Sequence, residues 1–168
     1  MKNLIALAQL IDRLNGLVGK AMGGLVLAAI LISAGNAVVR KLFNMSSNGW
    51  LEIQWYLFGT VFLLGAAYTL REGAHVRIDI LASRFTPRAR ALVDAAGYLL
   101  FVLPLVGFVT VHGWEFFYLS WQANEMSPDA GGLVRWPAKL MIVLGFALLG
   151  LQVVSEMIKT FHRLAAKE

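Results

Sequence analysis

The sequence predicts an all-α membrane protein of four transmembrane helices with both termini in the cytoplasm, and three observations carry that prediction. The 168-residue chain is 58% hydrophobic and only 15% charged, against the roughly 25% charged residues of a soluble domain. Four long apolar runs use up most of the chain, so residues 1–168 read as a single four-helix membrane domain with no room for a second folded unit. The basic residues gather at alternate connections. Lys2, Arg13 and Lys20 precede the first run, Arg71, Arg77, Arg84, Arg88 and Arg90 join the second to the third, and Lys159, Arg163 and Lys167 follow the fourth. The other two connections hold only Arg40 and Lys41, then Arg135 and Lys139, so the positive-inside bias places both ends in the cytoplasm. The net charge of +5 and the pI near 9.8 are thereby explained as topology marks, and no nucleic-acid partner is expected.

Residues 2–14 place Leu4, Leu7, Ile11 and Leu14 on one face, with Lys2, Gln9 and Arg13 elsewhere around the helix. They read equally well as an amphipathic helix lying on the inner membrane surface or as an extension of span 1 below the membrane. Span 1, about 21–39, ends at Arg40 and Lys41. A secretory signal is the rival reading, but the run is longer than the ~7–15 residues of a signal core, begins late and is followed directly by a basic pair. Its polar members, Ser33 and Asn36, suit bonds to a neighbouring helix or to their own backbone.

Span 2, about 51–70, has no charge between Ile53 and Leu70, a stretch of about 27 Å at ~1.5 Å per residue. Glu52, Gly59, Ala66 and Gly73 recur at sevens. Because a heptad drifts only ~20° around a helix, these four form one stripe. Its small side chains admit another helix closely, either another span of this chain or an external subunit. In the connection from Arg71 to Arg90, Gly73 suits the positive φ that ends a helix, and Asp79 suits the N-cap of a short helix to about Phe85. Thr86 and Pro87 fit the N-cap and first position of span 3, about 87–121, with Pro104 as its candidate kink. Ser127-Pro128-Asp129 and Gly131-Gly132 mark the next loop. Pro137 opens span 4, about 137–158, in which Gln152 is the main polar interruption. No internal repeat is found. Trp50, Trp55, Trp114, Trp121 and Trp136 all fall at predicted outer ends, which fits an aromatic belt and, secondarily, a protein docking surface.

Enzyme chemistry has no foothold in this pattern. Cysteine is absent, which excludes disulfides and thiolate chemistry, and no nucleophile with a base, metal set or phosphate loop has usable spacing. Catalytic, cofactor-binding and metal residues are therefore expected to be none. A haem bundle needs histidines paired at one depth, whereas His75 and His162 fall on the inner side and His112 near the outer end. His112 and Glu115 share a helix face and permit an ion or proton site in principle, although a hydrated pair near headgroups is the simpler reading. Glu52 at the start of span 2 suits the helix dipole, with a substrate cation as its alternative partner. No acid falls in the middle of a span, which disfavours a self-sufficient proton-coupled transporter.

The polar turn carries a resemblance. GAAYTLREGAHVRIDIL, preceded by Trp50-Leu51-Glu52, resembles the signature region of the small membrane subunit of tripartite ATP-independent periplasmic (TRAP) transporters. Its specific part centres on Glu52, Arg71, Gly73, His75 and Asp79. The four spans with both ends inside agree in number and length. The resemblance implies an accessory scaffold in a bacterial or archaeal inner membrane. Its partners would be a large sodium-coupled membrane subunit and a periplasmic substrate-binding protein that captures an organic anion such as a carboxylate. It implies no cofactor, and it makes the stripe and the polar turn structural or partner-interface residues. The rival from another class is a stand-alone four-helix transporter acting as a homo-oligomer.

Overall fold

A computed structural model describes residues 2–45, 47–75 and 85–165. Its helices are α1 (Lys2–Phe43), α2 (Asn48–Arg71), α3 (Pro87–Gly97), α4 (Leu103–Gln122) and α5 (Trp136–Ala165), with a π-helical turn at Tyr98–Val102 that makes α3 and α4 one rod. Four helical rods are long and apolar enough to cross a membrane. They contain the four expected spans, the third starting at Pro87 as expected and the others extended at both ends.

α1 is one unbroken helix of 42 residues, about 63 Å long at ~1.5 Å per residue. Of the two readings of residues 2–14, the extension of span 1 is the one the fold adopts. Gly16 of α1 faces the Arg71 guanidinium and Gly19 faces the Tyr68 ring, so α2 ends level with residue 16 and α1 runs on past it by roughly 20 Å. α5 accompanies this extension, since the Ser155 hydroxyl donates to the Ala8 carbonyl at 3.2 Å. The buried line of α1 is Ala8, Asn15, Met22 and Ala29, one residue per heptad. Of the expected leucine face only Ile11 is buried; Leu4, Leu7 and Leu14 are exposed. Small and polar side chains seat α1 on α5, and the leucines turn outward.

Thr86 caps α3 by accepting from the Ala89 N–H at 3.2 Å, and Pro87 stands in its first turn, as expected of a helix start. Pro104 lacks the N–H that a regular α-helix would direct at the Leu100 carbonyl. The chain answers with a wider turn just ahead of it, in which the Leu103 N–H reaches back to the Tyr98 carbonyl. α5 is the hub: it packs against α1, α2 and α4, and α1 also packs on α2. The α3–α4 rod makes its extensive contacts with α5 alone.

Close approaches between helices occur at glycines of α4 and α5. A Cβ at Gly145 would lie 2.8 Å from the Leu63 carbonyl oxygen of α2, one at Gly150 would lie 2.8 Å from Val106 Cγ1, and one at Gly113 would touch Ile142 and Val143 at 3.5 Å. Backbones this close gain dispersion contacts along the whole crossing, which is how helices associate where apolar surface alone provides no drive.

Candidate functional site

The polar side chains gather at the two ends of the bundle. At the end opposite the termini, Glu52 in the first turns of α2 is buried. Its Oε2 accepts the Leu133 N–H at 2.6 Å, and its Oε1 accepts the Ser127 hydroxyl. Glu52 therefore holds the connection 123–135 down on α2. That connection turns back on itself through a bridge between Met126 and Val134 and through residues at positive φ, Asn124 and Gly131. Asn48 adds a second tie by donating to the Ala130 carbonyl at 3.0 Å, and Glu125 pairs with Lys139 of α5. The Lys139 ammonium holds the Glu125 carboxyl below the usual glutamate value and lies 3.8 Å from the centre of the Phe116 ring.

The tryptophans surround this end. Trp50, Trp55, Trp114 and Trp121 are exposed, while Trp136 is half-buried with its ring 6.3 Å from Phe117, edge to face. Phe117 also meets Trp114 and Trp121. A small apolar cavity of about 150 Å³ lies between α1 and α2, lined by Gly35, Asn36, Val39, Met45, Ser47 and Trp50.

At the terminal end, α1 and α5 share a network that spacing in either helix alone does not announce. Asn15 Nδ2 donates to Gln152 Oε1 at 2.8 Å. Gln152 Nε2 donates to Asp12 at 2.8 Å and to Glu156 at 3.0 Å. Ser155 donates to Asp12 at 2.8 Å, and Lys159 reaches Asp12 at 3.0 Å and also Glu156. Gln152 and Ser155 are wholly buried, and Asn15 is 1% exposed with its Oδ1 unbonded. The available signal was polar residues at helical spacing within otherwise apolar segments on two helices: Asp12 and Asn15, then Gln152, Ser155 and Lys159.

The heptad stripe separates into four environments. Glu52 is buried in the loop anchor; a Cβ on Gly59 would meet nothing within 4 Å; Ala66 borders a groove of about 440 Å³ between α1 and α2; Gly73 takes φ +64°. No other span packs on Gly59, so of the two candidate neighbours for the stripe the intrachain one is not supplied there. Ala67, one residue on, is the fully buried alanine of α2. Gly73 ends α2 in the way the sequence indicates: its N–H bonds the Leu70 carbonyl at 3.0 Å and the Ala74 N–H bonds that of Thr69 at 3.0 Å, a left-handed helix termination that only glycine adopts cheaply.

Arg71 lies along α1 at Gly16, 5.9 Å from the Tyr68 ring centre and 3.6 Å from Glu72. His75 lines the α1–α2 groove with Gly19, Met22 and Tyr68. Asp79, and the short helix it was expected to cap, lie outside the described residues. A cleft of about 370 Å³ next to Arg71 is lined by Glu72, Arg90, Asp94, Glu156 and Arg163 among others; its acids and bases are evenly matched, so it offers no net charge for concentrating an anion. Among the described residues no group of three His, Asp or Glu is placed to hold a metal ion.

Each of these constellations ties one part of the chain to another, and each oxygen of Glu52 accepts one intrachain donor. Asp12 and Glu156 likewise share Lys159. The chain matches, over residues 17–163, the family described as tripartite ATP-independent periplasmic transporters, DctQ component. No curated protein matches it.

Proposed function

We propose a scaffold role for this chain, which belongs to the DctQ family of tripartite ATP-independent periplasmic transporter components. In this reading it is the small membrane subunit that assembles with a large sodium-coupled membrane subunit in the inner membrane. A periplasmic binding protein delivers an organic anion such as a carboxylate to that assembly, and both termini of this chain are cytoplasmic. The observation that carries the reading is the use of its buried polar groups. Glu52, Asn15, Gln152 and Ser155 all bond within the chain, tying a loop to a helix at one end and two helices together at the other. A conducting subunit needs polar groups left free along a path through the bilayer; here they are spent on rigidity. The heptad stripe supports the same role, because Gly59 leaves an open notch on α2 among the exposed rings of Trp55, Phe58 and Phe62, where a second protein's helix can approach.

The test is purification with and without the large subunit, followed by reconstitution. The scaffold reading expects a stable heteromer, transport only when the large subunit and the binding protein are present, and none from this chain alone. Substrate flux through liposomes containing this chain alone would establish the stand-alone homo-oligomeric transporter instead.

A further inference from the structure

Three of the four rods lose their apolar character at one cleft. The charge-free runs 53–70, 95–114 and 140–155 are closed at the terminal end of the bundle by Arg71, Asp94 and Glu156, and all three residues line the cleft of about 370 Å³ between α2, α3 and α5. Runs of that length span about 24–30 Å, close to the hydrocarbon thickness of a bilayer, so the cleft stands at the membrane–water boundary. Two donors in it are unused. Thr160 is 7% exposed and lines the cleft. Among the described residues its hydroxyl makes no hydrogen bond, whereas Thr60 and Thr69 turn theirs back to the carbonyls of Tyr56 and Gly65. Arg163 follows Thr160 by three residues, on the same helix face, and also lines the cleft. Its guanidinium donates once, through Nε to the Lys159 carbonyl at 3.3 Å, and the described residues offer its other nitrogens no partner. Arg71 and Glu72 stand 3.6 Å apart, beyond hydrogen-bond distance.

We propose that this cleft binds the headgroup of an aminophospholipid, with the phosphate on the Arg163 guanidinium and the Thr160 hydroxyl and the ammonium on Glu72. The site needs only that these rods cross a membrane and is independent of the scaffold reading. Basic side chains between membrane helices at this boundary take lipid headgroups, and a guanidinium presents paired N–H donors to phosphate oxygens. The source of the phosphate follows from charge. Arg71, Arg90 and Arg163 stand against Glu72, Asp94 and Glu156, so the cleft has no field to draw a free phosphoester out of water; a lipid phosphate is already concentrated at this level and needs only the local donors. The same balance selects the headgroup. An anionic lipid would set its net charge among three acids, whereas a zwitterionic one brings a cation to offset its phosphate. A primary ammonium also donates hydrogen bonds to a carboxylate, which a trimethylammonium cannot.

The test is native mass spectrometry of the whole chain in detergent, delipidated and then given dioleoyl phosphatidylethanolamine, phosphatidylglycerol or phosphatidylcholine, with soluble phosphoethanolamine as the arm that lacks acyl chains. A single phosphatidylethanolamine should be retained per chain, ahead of the other two lipids, and an equal concentration of phosphoethanolamine should not displace it. Arg163→Ala should weaken retention about tenfold, the loss of one charge-assisted hydrogen bond, and Thr160→Val about threefold. Arg163 is exposed, so its variant should keep the native circular dichroism, and it decides the matter if Thr160→Val unfolds. Glu72→Gln should remove the preference for phosphatidylethanolamine over phosphatidylcholine. Native retention in Arg163→Ala would overturn the site. A preference for phosphatidylglycerol in the native chain, or an unchanged preference in Glu72→Gln, would overturn the aminophospholipid assignment. Displacement by phosphoethanolamine at equal concentration would overturn the lipid as the source.

Discussion

Gln152 is the residue on which the α1–α5 contact depends most, and Gln152→Leu, which keeps much of its volume, removes only its polarity. Three hydrogen bonds go: the one from Asn15 and those to Asp12 and Glu156. Asp12 retains Ser155 and Lys159, and Glu156 retains Lys159, so neither carboxylate is abandoned. Asn15 is. Its Oδ1 has no partner to begin with, and losing Gln152 leaves the whole amide unbonded at 1% exposure. At ~0.6 kcal/mol for each of the two interhelical bonds in a membrane protein, ~0.2–0.5 kcal/mol for the bond to Glu156 one turn along the same helix, plus ~1–3 kcal/mol for the stranded amide, the loss comes to about 2.5–4.5 kcal/mol. Leucine's extra apolar contact reduces that by about 1 kcal/mol. At ~2–4 °C per kcal/mol for a domain of this size, the midpoint of thermal unfolding in detergent, followed by circular dichroism, should fall by about 3–14 °C. Adding Asn15→Leu should recover part of the loss, because replacing both partners of a buried bond by apolar groups strands nothing. A single variant within ~0.5 kcal/mol of the native protein, or a double variant less stable than the single, would refute the assignment of this network as a fastener.

Four other outcomes follow from the same geometry. Gly145→Ala sets a Cβ 2.8 Å from the Leu63 carbonyl oxygen and should cost ~1–3 kcal/mol by overpacking, whereas Gly59→Ala meets open space and should leave the isolated subunit unchanged or up to ~1 kcal/mol more stable; thermal unfolding compares them. Glu52→Ala strands the Ser127 hydroxyl and the Leu133 N–H and should raise amide exchange and protease cleavage across residues 123–135, with Glu52→Gln milder because its carbonyl oxygen still accepts. The Glu125 carboxyl is held low by Lys139, so its contribution is fully present above the free glutamate value and disappears as pH falls through the lower folded one; exchange in this connection should rise in that acid window, and Glu125→Gln should reduce the rise. Cysteines at Asn48 and Asn124 should react with an impermeant thiol reagent outside intact cells while one at His162 stays protected, and labelling of position 162 would reverse the orientation.

Much of the architecture was legible because bilayer thickness dictates it. The runs 51–70 and 137–158 sit inside α2 and α5, and the start at Thr86–Pro87 and the stop at Gly73 are local rules that hold whatever the rest of the chain does. Residues 2–14 were legible as a helix but not as to direction, since a surface helix and a continued span share one periodicity; the contact of Ala8 with Ser155 decides between them. The stripe on α2 shows the limit of periodicity most clearly. Sevens mark a face and say nothing of what covers it, and Gly59 turns out uncovered while Gly145, on no noticed pattern, touches Leu63 backbone. Glu52 was legible as an acid in the first turns of span 2, but its donors Ser127 and Leu133 were not, because they sit in a loop on the far side of span 3. The Asp12–Gln152 network escaped for the same reason, with each half looking like an incidental polar interruption until two distant helices meet.

The distribution of fasteners bears on which helix of the bundle is finished. α1, α2 and α5 enclose one another in a triangle of mutual contacts, and two sides of it are pinned by polar ties, at Glu52 through the loop leading into α5 and at Gln152 between α1 and α5. α4 has no such enclosure. It rests on α5 through Val106, Gly113 and Ser120, its end near Gln122 is steadied by aromatic contacts such as Phe117 with Trp136, and a π-turn ahead of Pro104 interrupts the regular ladder at its start. Because tertiary packing is what raises local opening toward the global free energy, α3, which packs only sparsely on α5, should be the first helix of the isolated subunit to exchange its amides. α5 stands at the other extreme: it touches each of the other three spans and holds Gln152 and Ser155 wholly buried, so its amides should be the last of the isolated subunit to exchange, and faster exchange in α5 than in α3 would refute this order.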